Sequence, residues 1–170
     1  MNDDEDDEKK SIEEALSTVK ESPSFDVSQC YMENGCVDLI VDALKKSTPF
    51  VAVNCSNTPM DKQQVASLCK ALMKNTSLEG LYLRRNGIGS ESVDQFTFFL
   101  IGSKSLTTLD LCNNTVGDDG MEVLCEALME NTTLTKLDMG WNGIGDGGAT
   151  SLSNALKSEE TVLSSISLYG

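Results

Sequence analysis

Gly143, Gly145 and Gly148 stand in the order G-x-G-x-x-G, the spacing with which a strand-to-helix turn can cradle a dinucleotide's pyrophosphate. Asp118, Asp119 and Asp146 are carboxylates of the kind a divalent cation takes as ligands. Cys30, Cys36, Cys55, Cys69, Cys112 and Cys125 offer thiols, yet no two of them form a C-x-x-C pair. The chain contains no histidine. That absence removes the usual general base, the Ser–His and Cys–His nucleophile systems, and most zinc sites. What remains suits recognition better than reaction. Trp141, Tyr82, Tyr169, Arg84 and Arg85 are residue types that bury large area while keeping a directional polar tip. The expectation is a chain with no catalytic residue, no metal and no cofactor.

Charge narrows the field further. Asp and Glu number 27 against 13 Lys and Arg, a net charge of −14. Nucleic acid and anionic membrane both demand a cationic surface, so neither is expected as the partner. The run Asp3-Asp4-Glu5-Asp6-Asp7-Glu8 reads as a disordered, self-repelling tail over residues 1–10. Met1 is followed by acids, without the basic and apolar stretches of a signal peptide. No apolar run approaches the roughly 20 residues that span a bilayer. The cysteines are therefore expected to be reduced thiols in a cytoplasmic protein, with Cys55 buried and Cys112 the most accessible to a thiol reagent. In that compartment the N-x-[ST] matches at Asn54, Asn75, Asn113 and Asn131 carry no glycosylation meaning.

These residues are positioned by a repeat. Leu106, Leu109, Leu111, Asn114 and Val116 recur 28 residues later as Leu134, Leu137, Met139, Asn142 and Ile144, and 28 earlier as Leu78, Leu81, Leu83, Asn86 and Ile88. Weaker copies carry Phe50, Val53, Cys55, Thr58 and Met60, and before them Ser22, Phe25, Val27, Cys30 and Met32. A partial copy with Leu163, Ile166 and Leu168 is shifted by one residue. Behind each strand runs a helical stripe at offsets of three and four: Val37, Ile40, Leu44; Val65, Leu68, Leu72; Val93, Phe96, Leu100; Met121, Leu124, Leu128; and Ala149, Leu152, Leu156. Asp61, Ser90, Asp118 and Asp146 stand where N-caps are expected. The glycine fingerprint falls in the loop of this repeat, where Gly87 with Gly89 and Gly117 with Gly120 are its counterparts.

The pattern resembles the leucine-rich-repeat family over residues 22–168. Its period and helices are similar to the ribonuclease-inhibitor subclass, seen also in RanGAP proteins, NOD-like receptors and the carboxy-terminal half of tropomodulin. The resemblance implies an α/β fold: a curved, right-handed leucine-rich-repeat solenoid with a parallel sheet on the concave face and helices on the convex face. Residues 22–170 would form this domain, as five repeats and the strand of a sixth. Residues 11–21 read as a capping helix, with Ile12, Ala15, Leu16 and Val19 on one face and Ser11 with Glu14 as a capping box. RanGAP-type activity is not expected, because nothing identifies residues that would assist GTP hydrolysis. The resemblance implies a protein-interaction module. The segment around Ile12–Leu16 and Ser22-Pro23 is also similar to the start of tropomodulin's actin-binding repeat domain, and a fragment of a larger receptor-type repeat protein is a further alternative.

Strand residues that alternate away from the core line the concave face. Tyr82, Arg84, Arg85, Asp110, Lys136, Asp138, Trp141 and Tyr169 fall there and are the expected partner-binding set. Asn86, Asn114 and Asn142 are expected to form a structural ladder that satisfies buried loop backbone. The last strand, around Leu163–Leu168, lacks a charge or proline to blunt its edge, so a weak homodimer through that end is also expected.

Overall fold

The computed structural model of the protein describes residues 24–28, 36–46 and 50–170. The acidic tail, the capping helix, Cys30 and Met32 lie outside the described residues. Six three-residue strands alternate with five helices: β1 Ser24–Asp26, α1 Cys36–Lys46, β2 Ala52–Asn54, α2 Lys62–Leu72, β3 Gly80–Tyr82, α3 Ser90–Gly102, β4 Thr108–Asp110, α4 Gly117–Glu130, β5 Lys136–Asp138, α5 Asp146–Ala155 and β6 Ser165–Ser167. The strands form one parallel sheet in chain order.

Register follows the repeat. Phe25, Val53, Leu81, Leu109 and Leu137 stand opposite one another in a column, and Leu137 meets Ile166 through the one-residue shift. Side chains alternate across a strand, so this column and the next inward one (Val27, Cys55, Leu83, Leu111, Met139) both face the helices and are buried. The four helical stripes of α1 to α4 close the core as their spacing predicts. In α5 the outcome differs: Gly148, Leu152 and Ala155 are buried, while Ala149 and Leu156 are exposed. Those two occupy the flank that α4 turns toward α5, and among the described residues no helix packs against the equivalent flank of α5.

The helix starts also depart in part from expectation. Asp61 does form a capping box: Gln64 N–H donates to its carboxylate at 2.8 Å, and Asp61 N–H donates to Gln64 Oε1 at 2.9 Å. Ser90, Asp118 and Asp146 instead lie inside their helices, whose N-cap residues are Gly89, Val116 and Gly145. Asp118 caps its neighbour, accepting the Gly145 N–H at 2.7 Å. A Cβ on Gly147 or Gly148 would come within 2.8 or 2.9 Å of the Asp118 carboxylate. The glycine fingerprint thus makes room for this chain's own carboxylate at the positive end of α5. Gly87, Gly117 and Gly143 meet the other demand of the loop, a left-handed backbone at φ of 69°, 64° and 66°.

Buried asparagines join the repeats. Asn114 Oδ1 accepts N–H groups of Asn86 and Ile88 at 2.9 and 3.0 Å, and its Nδ2 donates to the carbonyls of Leu83 and Leu111 at 2.9 and 2.7 Å. Asn86 donates to Cys55 O and accepts from Thr58 N–H, and Asn142 donates to Leu111 O and Met139 O. A second set at the helix exits was not legible as such. Asn75 donates to Phe50 O at 3.1 Å, and Asn131 donates to Leu100 O and accepts the N–H groups of Thr133 and Leu134.

Three outcomes follow. Leu109→Ala should lower stability by roughly 2–5 kcal/mol through the cavity it leaves, read from the urea midpoint. Asn114→Ala strands two amides and two carbonyls, so a loss of at least about 3 kcal/mol is expected at unchanged m-value. The Gly145 N–H first, with the Gly148 and Gly147 amides, holds the Asp118 carboxyl below the usual carboxylate range. A depressed folded value gives stability above the unfolded value that is lost as pH falls through the folded one. Asp118→Asn should therefore cost stability at neutral pH, and the gap to the parent should close in acid.

Candidate functional site

The outward strand positions build the concave face, and its first row turns out to be partly structural. Asp26, Asn54, Asp110 and Asp138 each fold one side-chain oxygen back onto the N–H two residues ahead, at 2.9, 3.1, 2.9 and 3.0 Å. These Asx turns redirect the chain at the end of each strand. Tyr82 stands in the same row and cannot make that bond. Its ring folds back along the strand instead: a Cβ on Gly80 would come within 3.0 Å of it. Residues two apart share a face, so Gly80 leaves the space that Tyr82 fills.

The remaining oxygens of Asp110 and Asp138 converge on Arg84, whose Nη1 lies 3.4 Å from Asp110 Oδ2 and 3.9 Å from Asp138 Oδ2. Like charges directly opposite on neighbouring strands repel, and the guanidinium offsets this. Burial raises the Asp110 carboxyl above its ordinary value, against the pull of the Cys112 N–H and of Arg84. Tyr169 closes the cluster. Its hydroxyl lies 3.3 Å from Cys112 Sγ. A Cβ on Gly140 would come within 2.8 Å of the Tyr169 ring, so the ring lies flat on the sheet only because that residue is glycine. The bond to Cys112, more than its partial burial, raises the Tyr169 hydroxyl above the ordinary tyrosine value.

Cys112 corrects an expectation. Its outward position argued for an open, reactive thiol, yet its exposure is 0%. Tyr169 covers it, reaching over glycine from two strands away. Cys55 is buried in the core as expected, and burial pushes the Cys69 and Cys125 thiols up to about 12 and about 11. Low-pKa nucleophiles these are not.

Arg85 and Trp141 occupy the rim of the face. They share a repeat position with Asn57 and Asn113, and all four have left-handed backbones, with φ of 55°, 56°, 59° and 58° respectively. The next repeat imposes the shape: the N–H groups of Asn57, Arg85, Asn113 and Trp141 donate to carbonyls of Arg84, Cys112, Gly140 and Tyr169 at 2.7–3.1 Å. Asn tolerates this backbone; Arg and Trp do so at a cost. Trp141 is 59% exposed, and Arg85 and Lys136 are exposed as well.

Asp110, Cys112 and Asp138 bring three potential ligand atoms within 4.8 Å of one another. Arg84 already supplies positive charge to both carboxylates, and the thiol is engaged by Tyr169. The arrangement is a partly compensated polar cluster beside an exposed arginine and tryptophan, suited to non-covalent contact.

Comparison with known proteins agrees with this architecture. A leucine-rich-repeat family profile matches residues 74–94, 102–125 and 130–153. The structure of leiomodin-1 actin-binding site 2 superposes with a TM-score of 0.71 at 22% identity, covering 82% of each chain. The tropomodulin C-terminal domain of Caenorhabditis elegans superposes with a TM-score of 0.67 at 16% identity, over 79% of this chain and 83% of that one. Among curated proteins, a sequence search finds no match.

The covering of Cys112 is directly measurable. In native protein its alkylation should be slow, and Tyr169→Ala should speed it by roughly an order of magnitude or more, since the substitution uncovers the sulfur. Peptide mapping of the modified site distinguishes Cys112 from the other thiols; an unchanged rate would show that Tyr169 does not shield it.

Proposed function

We propose that this chain, whose fold is a leucine-rich-repeat solenoid and whose residues 74–94, 102–125 and 130–153 match a leucine-rich-repeat profile, is a non-enzymatic module that binds a partner protein through its concave sheet face. The observation that carries this reading is the pair Arg85 and Trp141, held at backbone positions that suit asparagine and left exposed. Strain that burial does not repay is a mark of a surface kept for contact. Tyr82, Arg84, Lys136 and Tyr169 extend the surface across the sheet, with Asp110 and Asp138 orienting Arg84. The repeat geometry supports the ribonuclease-inhibitor-like subclass, and the thiols suit a reducing, cytoplasmic setting.

A second reading names the partner. Leiomodin-1 actin-binding site 2 shares this fold over most of both chains, which favours a tropomodulin-like regulator of actin filaments. Co-sedimentation with filaments and a pointed-end elongation assay test it. Slowed elongation, lost in Trp141→Asn, is expected; neither binding nor slowing would remove actin and leave the partner to affinity capture and mass spectrometry.

Arg85→Asn and Trp141→Asn test the face itself. Each should raise stability by about 1 kcal/mol, the order of the left-handed penalty, while weakening binding to the captured partner. Stabilised variants that bind as well as the parent would count against the concave face.

A further inference from the structure

The helical side carries an exposed apolar patch at the edge of the core, where Ile101 packs in part against it. Phe98, on α3, is 73% exposed. The same repeat position holds Asp42, Lys70, Glu126 and Asn154 in the other helices, all suited to water. One turn further along, Met73, Ile101 and Met129 share a repeat position and form a stripe across three successive helix ends, with Met73 and Met129 exposed and Ile101 partly so. Met73 reaches toward α3: a Cβ on Gly102 would lie 3.7 Å from Met73 Cε, in van der Waals contact. Large exposed apolar side chains that cluster in this way mark contact surfaces.

The rim is basic around Met73 and Gly102, while Glu126 and Glu130 stand beside Met129 at its α4 edge. Lys70 lies one turn before Met73 on α2, Lys74 follows Met73, and Lys104 follows α3 two residues beyond Gly102. All three are exposed, and none forms an ion pair among the described residues. A lysine in the last turn complements the helix dipole, which accounts for Lys70 but not for Lys104 or Phe98.

We propose that Met73, Phe98, Ile101 and Met129, with Lys70, Lys74 and Lys104, form a second docking surface, on the opposite side from the concave face, for an acidic amphipathic helix of a partner protein. Charge complementarity selects the acidic partner. Spacing selects the helix: packed helices lie about 8–10 Å apart, so the stripe presents one apolar side chain per such step, and residues seven apart on a helix rise about 10.5 Å. A second copy of this chain is disfavoured by the repulsion between two molecules that each carry a net charge of −14. An anionic membrane is repelled by the same net charge.

The test uses the full chain with a synthetic 21-residue helix (about three heptads) that carries leucine at every seventh position with an adjoining leucine, and glutamate elsewhere on that face. Its lysine-for-glutamate twin and a scrambled form are the controls. Fluorescence anisotropy should show binding of the acidic helix alone, weakened by salt. Phe98→Asp should weaken it at least about tenfold, and joint reversal of Lys70, Lys74 and Lys104 to Glu should do the same. Trp141→Asn should leave it unchanged, which separates this surface from the concave one. Circular dichroism on each variant excludes misfolding, which Phe98 and the lysines, being exposed, should not provoke. Equal binding of the basic twin, indifference to Phe98→Asp, preference for phosphatidylserine vesicles, or self-association lost in Phe98→Asp would each overturn the proposal.

Discussion

From β2 to β5 each strand ends in a turn whose backbone groups are satisfied by the next repeat. Asn114 shows the constraint most fully. Its amide takes carbonyls from its own turn and from the turn before, while its oxygen takes two N–H groups from the turn before. No single repeat closes this arrangement, because donor and acceptor sit on different turns of the coil. The apolar columns add the larger energy, but apolar burial has no direction. The asparagines supply the direction, locking one repeat to the next at a single register. The sheet then inherits a column of identical positions, and any residue placed once per repeat recurs on the same line.

That recurrence is why the fold could be read from residue types. The 28-residue step carries strand, turn and helix together, so the core columns from Phe25 to Leu137 and the helical stripes from α1 to α4 emerge from spacing alone. Two local matters did not. The α5 stripe follows the same spacing, yet Ala149 and Leu156 are exposed, since burial depends on a neighbour and not on the residue. The acids at the helix starts were read as caps for their own helices, and only Asp61 is one. Asp118 reaches instead to α5, because Gly147 and Gly148 leave its carboxylate the space. A rule that looks three residues along the chain cannot see a contact made 27 residues away.

The site was legible in outline for the same reason, and illegible in its details. Alternation puts Tyr82, Arg84, Asp110 and Asp138 on one face, and the structure brings the last three together. It does not reveal that the aspartates spend one oxygen on their own turns. Nor does it show that Tyr169 lies over Gly140 to reach Cys112. The signal for that was present: a glycine in a row otherwise bearing side chains, with an aromatic residue in the same row of the next strand. Glycine beside tyrosine recurs within β3, where Gly80 makes room for Tyr82. In both places the missing side chain matters more than the residue that takes its space, and patterns built from what is present pass over it.

The two surfaces differ in how they stay exposed. On the sheet, Arg84 offsets one of the two carboxylate charges it faces, and the large exposed side chains stand at the rim. There Arg85 and Trp141 hold a backbone shape that asparagine would adopt at less cost, and hydrogen bonds from the next repeat prevent them from relaxing. On the helices nothing is strained. Phe98, Ile101 and the two methionines occupy ordinary positions at the helix ends, and what sets them apart is apolar surface where the neighbours are polar or charged, beside lysines that form no ion pair among the described residues. A partner at the rim would meet side chains already fixed by the fold. A partner at the helix ends would meet flexible methionines and solvated amines, a surface that adapts to its ligand and draws it by charge. One repeat therefore supplies both a rigid face and a compliant one, because the rim side chains stand on a backbone fixed by the next repeat, whereas the exposed methionines at the helix ends keep their rotamer freedom.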